Sequence, residues 1–531
     1  MSHTPANEPT RVVRDESTAA PADETTLADV KQLGFWAAIA SLSYVFWIVG
    51  GMEMIERAAF YGVRAVSTLY ATNPISEQGL GVTMTTFGTL MLCWNLLQSL
   101  IPIFTGGLSD RYGYKLTIGS ATAIKILGYL LMAWLPTFWG FFLGAMFLAA
   151  GTAVFKPGIQ GTLIRSTNRR NSSMAWGIFY QTVNIGGWIG PLIALYNRSH
   201  FGWSAVFYTN AAIICLNFVL LLTYREPGKA ERLVRQQRIR DGHERQHPLL
   251  AEALAELKKK HLLYYLLIFS LWWMMFPMLW DVLPRYVKDW VNTAPMVQQL
   301  FGPEGATNPI WKFLLGMDAQ GQTIQSEGIV NINAFMIMLT CFLFAGFGAK
   351  LRATSSLCLG TVLIVIALAL FGANHSVGFA VLAMVIFSAG EMLASPKYSE
   401  YIGNIAPPDK KAMWIGFSQA PLLIGWAIEG KLGPALYDVF SSKDIFARQL
   451  LVERGLTPAQ VTEQALPIGE AFKKLVAVTG DNPEHLTQLL YNSHHVGMTW
   501  NIFAAVGVAS AIMIWLYGRW VQRLAKQPPA A

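Results

Sequence analysis

The sequence predicts an all-α integral membrane protein of about twelve spans, grouped as two six-helix bundles. Three observations predict it. The 531 residues are 53% hydrophobic and only 14% charged, too apolar for a soluble chain. Apolar segments of about 20 residues, the length that crosses a bilayer as helix, recur along the chain. Lys and Arg gather in alternate connections, as they do in membrane proteins of fixed orientation. The formal charge of +8 therefore sets topology, and no nucleic-acid partner is expected. Eighteen Trp and 46 Gly suit interfacial anchoring and close helix approach.

Spans are expected to begin near Phe35, Val82, Leu116, Phe138, Met174, Trp203, Leu262, Ile329, Ser355, Val377, Lys411 and Val496. Basic connections carry Arg111 and Lys115, then Arg165, Arg169 and Arg170, then the run from Arg225 to Lys260, then Lys350 and Arg352, then Lys410 and Lys411. Loops around Asn73, Pro136 and Asn374 carry none, so the basic loops and both termini are expected to be cytoplasmic. The boundaries read as a disordered cytoplasmic tail (1–34), an N-terminal bundle (35–224), a basic linker (225–260), a C-terminal bundle (261–524) and a short tail (525–531). Long outer loops at 291–328 and 432–495 are expected to form a cap.

The N-terminal segment lacks the basic-then-apolar order of a cleaved signal peptide. With the short loops, this favours a bacterial inner membrane. Cys93, Cys215, Cys341 and Cys358 lie in apolar runs without metal-ligand spacing and read as small core residues. No Gly-rich phosphate loop supports direct ATP drive, and no nucleophile beside a base supports an enzyme.

Charges at the bilayer centre cost a few kcal/mol or more, so each one is a functional candidate. In the first span Glu53, Glu56, Arg57 and Arg64 share one helical face, which must line a wet cavity or pair internally. Lys156 precedes Pro157 in the fourth span, where a helix break is expected, and Glu391 lies in the tenth; the two could close one end of a cavity as an ion pair. Asp281, near the outer end of the seventh span, could pair with Arg64 as an outer gate. With no histidine in mid-span, proton transfer would rest on carboxylates.

Gly106-Gly-Leu-Ser-Asp110-Arg111-Tyr-Gly-Tyr-Lys115 resembles the cytoplasmic loop signature of the major facilitator superfamily, in which the Asp and basic residues latch one state. Glu53, Glu56, Arg57, Tyr61 and Gly62 resemble the first-span motif of the proton-coupled oligopeptide transporter (POT) family. Phe179-Tyr180-Gln-Thr-Val-Asn184-Ile-Gly186-Gly187 is similar to its second signature, and Asn333 and Glu391 with Pro396 sit where that family places cavity residues. The resemblance implies symport of di- or tripeptides by alternating access, driven by a proton gradient without a cofactor, in a monomer. By this resemblance Glu53, Glu56, Arg57 and Lys156 serve proton coupling. Arg57, Tyr61, Arg64, Lys156, Tyr180, Asn184, Asn333 and Glu391 line the substrate site, with Lys156 among the groups for the peptide carboxylate and Glu391 for its amino group. Arg64, Asp281, Lys156, Glu391, Asp110 and Arg111 form gates.

Ala58 and Phe60 depart from the family's aromatic pattern, and the second span, around Gly88 to Trp94, has no Tyr. Fewer phenolic donors leave a second reading open, a non-peptide or modified amino-acid cargo on the same machine. A third, from another class, is a non-transporting receptor or scaffold.

Overall fold

The computed structural model describes residues 35–105, 109, 112–168, 171–241, 258–349, 351–405 and 417–524. Among them the architecture is all helical, with a single isolated β-bridge between Met317 and Ile324. Twelve long elements follow in order: α1 (Tyr44–Thr72), α2 (Met84–Thr105), α3 (Tyr114–Trp134), α4 (Phe138–Arg165), α5 (Ser172–Phe201), α6 (Trp203–Thr223), α7 (Lys260–Trp273), α8 (Ser326–Ala349), α9 (Ala353–Ala373), α10 (Val377–Ile405), α11 (Gln419–Phe440) and α12 (Met498–Leu524). Eight of the described helical stretches are long and apolar enough to cross a membrane. α1 falls short because it carries the four charges read above; α11 carries Glu429, Lys431 and Asp438.

Several boundaries differ from the expectation. The first span does not start at Phe35: a short helix, Phe35–Ala40, ends at Ser41, and Ser43 starts α1 by accepting a hydrogen bond from the Phe46 amide, an N-cap that fixes the break. The seventh span is interrupted. α7 stops at Trp273, one turn follows at Met278–Asp281, and a further helix runs Leu283–Trp290. Pro277 and Pro284 lie at these joints, where a missing N–H interrupts the helical ladder. Asp281 is thus no loop residue; it is fully buried. Pro157, by contrast, breaks nothing, and α4 runs unbroken through it, with Gly158 packed against Ile118 of α3. In membranes such prolines are tolerated when neighbouring helices support the freed backbone.

The apolar core falls into separate sets. One joins α1 to α2, α3, α4 and α6 around Tyr70, Trp94, Tyr129 and Phe207, with a smaller set around Phe46 and Phe155. Another draws on residues from Leu262 to Tyr517 and only Met84 from the first half. The halves meet where α2 packs on α11 and α5 on α8. Cys215 is exposed rather than core, on the outward face of α6. The outer loops form helices at Ala294–Phe301, Pro309–Leu314, Lys443–Glu453, Ala471–Thr479 and Pro483–Ser493; since α11 reaches Phe440, the second loop starts later than 432. Lys473 lies 3.2 Å from Glu77 and Asn292 donates to Glu484 at 3.0 Å, fastening these helices over one end of the bundles. At the opposite end Lys115 donates to the Tyr224 carbonyl at 2.9 Å, tying α3 to the end of α6. Asp110 and Arg111 lie outside the described residues, as does the start of the eleventh span at Lys411.

Candidate functional site

α1 places Glu53, Glu56 and Arg57 within one turn, and all are buried. Arg57 Nε approaches Glu53 Oε1 at 3.2 Å and also pairs with Glu56. The other oxygen of Glu56 pairs with Lys125 of α3, a residue the sequence reading did not select. Lys125 is fully buried, and its ammonium sits 4.4 Å from the Phe155 ring centroid, within cation–π range. It was discoverable: a lone Lys inside an apolar span is the same signal that singled out Lys156. Glu56 is thus held by two cations. Glu53 Oε2 is buried with no hydrogen-bond partner, an open acceptor in a site where most buried polar atoms are paired.

Lys156 lies on α4 within electrostatic reach of Arg57, Glu53 and Glu56. Its side chain is exposed, and among the described residues no carboxylate lies within 4 Å of it. Across from it, α10 presents Glu391. Asn333 of α8 donates to Glu391 Oε2 at 2.9 Å and to Ser388 Oγ at 3.1 Å, but Glu391 has no cation partner among the described residues. The expected Lys156–Glu391 ion pair is therefore not formed: the two charges stay apart, one on α4 of the first half and one on α10 of the second. Tyr61 and Tyr180 both lie within electrostatic reach of Glu391. Tyr61 packs on Trp280 with centroids 5.1 Å apart, and the Arg57 guanidinium lies 4.9 Å from the Phe60 ring. Tyr180 is exposed toward the cavity. Asn184 spends its amide on the Tyr180 carbonyl one turn back, at 2.8 Å, leaving its oxygen for a guest.

Toward the capped end, the halves are locked. Arg64 Nη2 meets Asp281 Oδ1 at 2.5 Å, the pair anticipated from the sequence. The Arg64 guanidinium sits 5.9 Å from the Trp94 ring. Thr68 donates to the Trp280 carbonyl at 2.8 Å, Arg285 to the Thr72 carbonyl at 3.2 Å and Lys288 to Asn73 Oδ1 at 2.9 Å. Arg198 of α5 pairs with the buried Glu327 of α8 at 2.9 Å, and Asn331 donates to the Trp188 carbonyl at 2.8 Å. Glu429 of α11 joins Asp281 and Arg64, fully buried. The sequence reading missed Glu327 and Glu429 too: Glu429 stands in a helix predicted to span, whereas Glu327 falls in the expected outer loop 291–328 and the structure places it in the first turn of α8. The two halves are therefore joined on the side of the cap, while Lys156 and Tyr180 are exposed.

Residues 47–429 match the family model of the Major Facilitator Superfamily. The chain is 27% identical to the uncharacterized transporter YclF of Bacillus subtilis, over 32% of this chain and 35% of that one. It is 28% identical to the peptide transporter YePEPT of Yersinia enterocolitica, over 28% of this chain and 30% of that one. Each match thus spans about a third of the relative's length. Among solved structures, a POT family transporter in complex with a thioalcohol conjugated peptide superposes with a TM-score of 0.63 at 18% identity, covering 94% of this chain and 100% of that one. At that identity the likeness is one of fold. The chain belongs to the Major Facilitator Superfamily, and its fold is that of the solved POT family transporter.

Proposed function

We propose that the protein is a POT-type symporter that carries di- or tripeptides inward with protons. The observation that carries this reading is a pair of mutually unpaired charges, one in each half, Lys156 on α4 and Glu391 on α10. A short peptide is a zwitterion of limited length, and a cation facing an anion across a cavity matches its two ends. Glu53, with its free oxygen beside Arg57, accepts the transported proton, while Glu56 stays ionised between Arg57 and Lys125. The six-plus-six halves rock about the cavity; the cap faces the outside of a bacterial inner membrane, both termini face the cytoplasm, and the monomer is the working unit.

The test is uptake of labelled dialanine into liposomes under an inward acid gradient. Wild-type protein should accumulate the peptide, a protonophore should abolish this, and Glu53→Gln should lose accumulation while keeping exchange of peptide across the membrane. Uphill uptake by Glu53→Gln would overturn the coupling scheme. A second reading is favoured by Ala58 and Phe60, which supply no hydroxyl where Arg57 and the cavity meet: a modified amino acid or other non-peptide cargo on the same machine. It predicts thermal stabilisation by such compounds and none by dialanine.

A further inference from the structure

At the closed end of the cavity the charges do not balance. Among the described residues Arg64 is the one cation within reach of two fully buried carboxyl groups, Asp281 at the break in the seventh span and Glu429 on α11. The two carboxyls lie within side-chain hydrogen-bonding reach of each other. Apart from the ion pair with Arg64, none of their four oxygens has a donor. The Glu429 carboxyl lies over Gly433, where a side chain would collide with it, and Met278 lies against the same position.

Among the described residues no other charge reaches the pair. Lys431, two residues along α11, turns away to Thr89 Oγ1 at 2.7 Å. Asp438 accepts from the Thr85 amide at 2.7 Å, and Tyr437 donates to Asp289 at 2.8 Å. α2, which packs along α11, has no ionisable Asp, Glu, Lys, Arg or His; it offers Asn95, whose amide goes to the Trp426 carbonyl at 2.9 Å. α7 has Lys260 and His261 only at its far start, and α12 has Arg519 and Arg523 only in its last turns.

Two adjacent carboxylates buried with a single cation would leave an uncompensated negative charge, which such a site avoids by binding a proton. A proton between the two carboxyls also supplies the donor that their oxygens lack. We propose that Glu429 and Asp281 form a carboxyl pair that binds one proton whenever Arg64 closes the outer end, making Glu429 a proton-binding site distinct from Glu53. Asp281 stays ionised on Arg64, and protonated Glu429 donates to it. When the outer end opens, Arg64 leaves with the first half, water reaches both acids and the proton exchanges with the outer solution. Closure is thus linked to uptake of one proton, and acid outside favours it. The inference rests on the alternating-access reading but needs no particular cargo.

The test measures closure directly, without substrate, by spin-label distances between Leu135→Cys and Gly378→Cys at the capped end. It uses a background with the four native cysteines replaced and Glu53→Gln, so that proton binding at Glu53 contributes nothing. The ratio of closed to open populations should rise by up to tenfold per pH unit on acidification, the linkage of one proton. Glu429→Gln, a neutral mimic of the protonated acid, should stay closed and lose this slope; Glu429→Asp should keep it. A Glu429→Gln protein with the unaltered slope would overturn the proposal. A closed population that follows sodium concentration at fixed pH would also overturn it, by assigning a metal cation in place of the proton.

Discussion

The two buried charge clusters on α1 differ in sign. Two turns apart on one helix, Glu53 and Glu56 stand among three cations, Arg57, Lys125 and Lys156, whereas Arg64 stands alone among two acids, Asp281 and Glu429. The first cluster has a surplus of positive charge and includes the exposed Lys156, so it suits an anionic group on a guest. The second has a surplus of negative charge and is sealed, so it suits a proton. Glu56–Lys125 lies wholly within one half, whereas Arg64–Asp281 joins the halves, so on the proposed alternating-access mechanism the first pair persists through rocking and the second breaks. A buried charge therefore has different consequences according to whether its partner lies on the same bundle or across the interface.

The comparison breaks most sharply at Lys125. Lys125→Ala leaves a buried carboxylate short of a cation and should cost about 3–5 kcal/mol, the usual effect of removing one partner from a buried pair. It should appear as a strongly lowered unfolding temperature in detergent, and adding Glu56→Gln should recover most of the loss. If the single variant melts normally, Glu56 does not need the α3 cation. A smaller effect is expected at the opposite wall. Glu391→Gln removes one charged contact to the peptide ammonium and should weaken dialanine binding by about 1.5–3 kcal/mol, roughly a 10- to 100-fold rise in Kd. Titration of the purified protein would read this, with little change in melting temperature.

The smallest effect belongs to the rim. Burial would raise the Glu77 pKa, but hydrogen bonds and charge from Lys288, 2.5 Å away, and from Lys473 hold it below the ordinary carboxylate value. A depressed carboxylate pKa stabilises the fold above its unfolded value, and that contribution is lost as pH falls through the folded value. Because solvent reaches the pair, Glu77→Gln should cost no more than about 1 kcal/mol near neutral pH. The difference from wild type should shrink toward zero below about pH 4, the ordinary range of a carboxylate. A thermal-shift series from neutral to acid pH would show it, and a gap that persisted in acid would assign the loss to packing.

Much of the candidate site was legible before folding. Glu53, Glu56, Arg57, Lys156 and Glu391 are charges inside apolar segments, and lipid cannot accept them there without a partner or water. The same rule applied to Lys125 and Glu429, which were passed over: neither belongs to a recognised motif, though each lies in a predicted span. The span boundaries were less legible, because Pro157 and the prolines of the seventh span carry the same local signal and only the second group breaks the helix. Whether a neighbouring helix supports the freed backbone is a fact of packing, not of sequence.

By itself the sequence determined the membrane class, the twelve-span expectation and the presence of functional charges on α1, because hydropathy and the cost of burying charge are properties of each segment alone. The tertiary structure alone decided the partners: that Arg64 meets Asp281 while Lys156 and Glu391 stay apart, that Lys125 takes Glu56, and that Glu429 joins the outer gate. Those choices depend on how each helix is rotated and tilted against its neighbours, and thus on packing across the whole bundle rather than on any one stretch of residues.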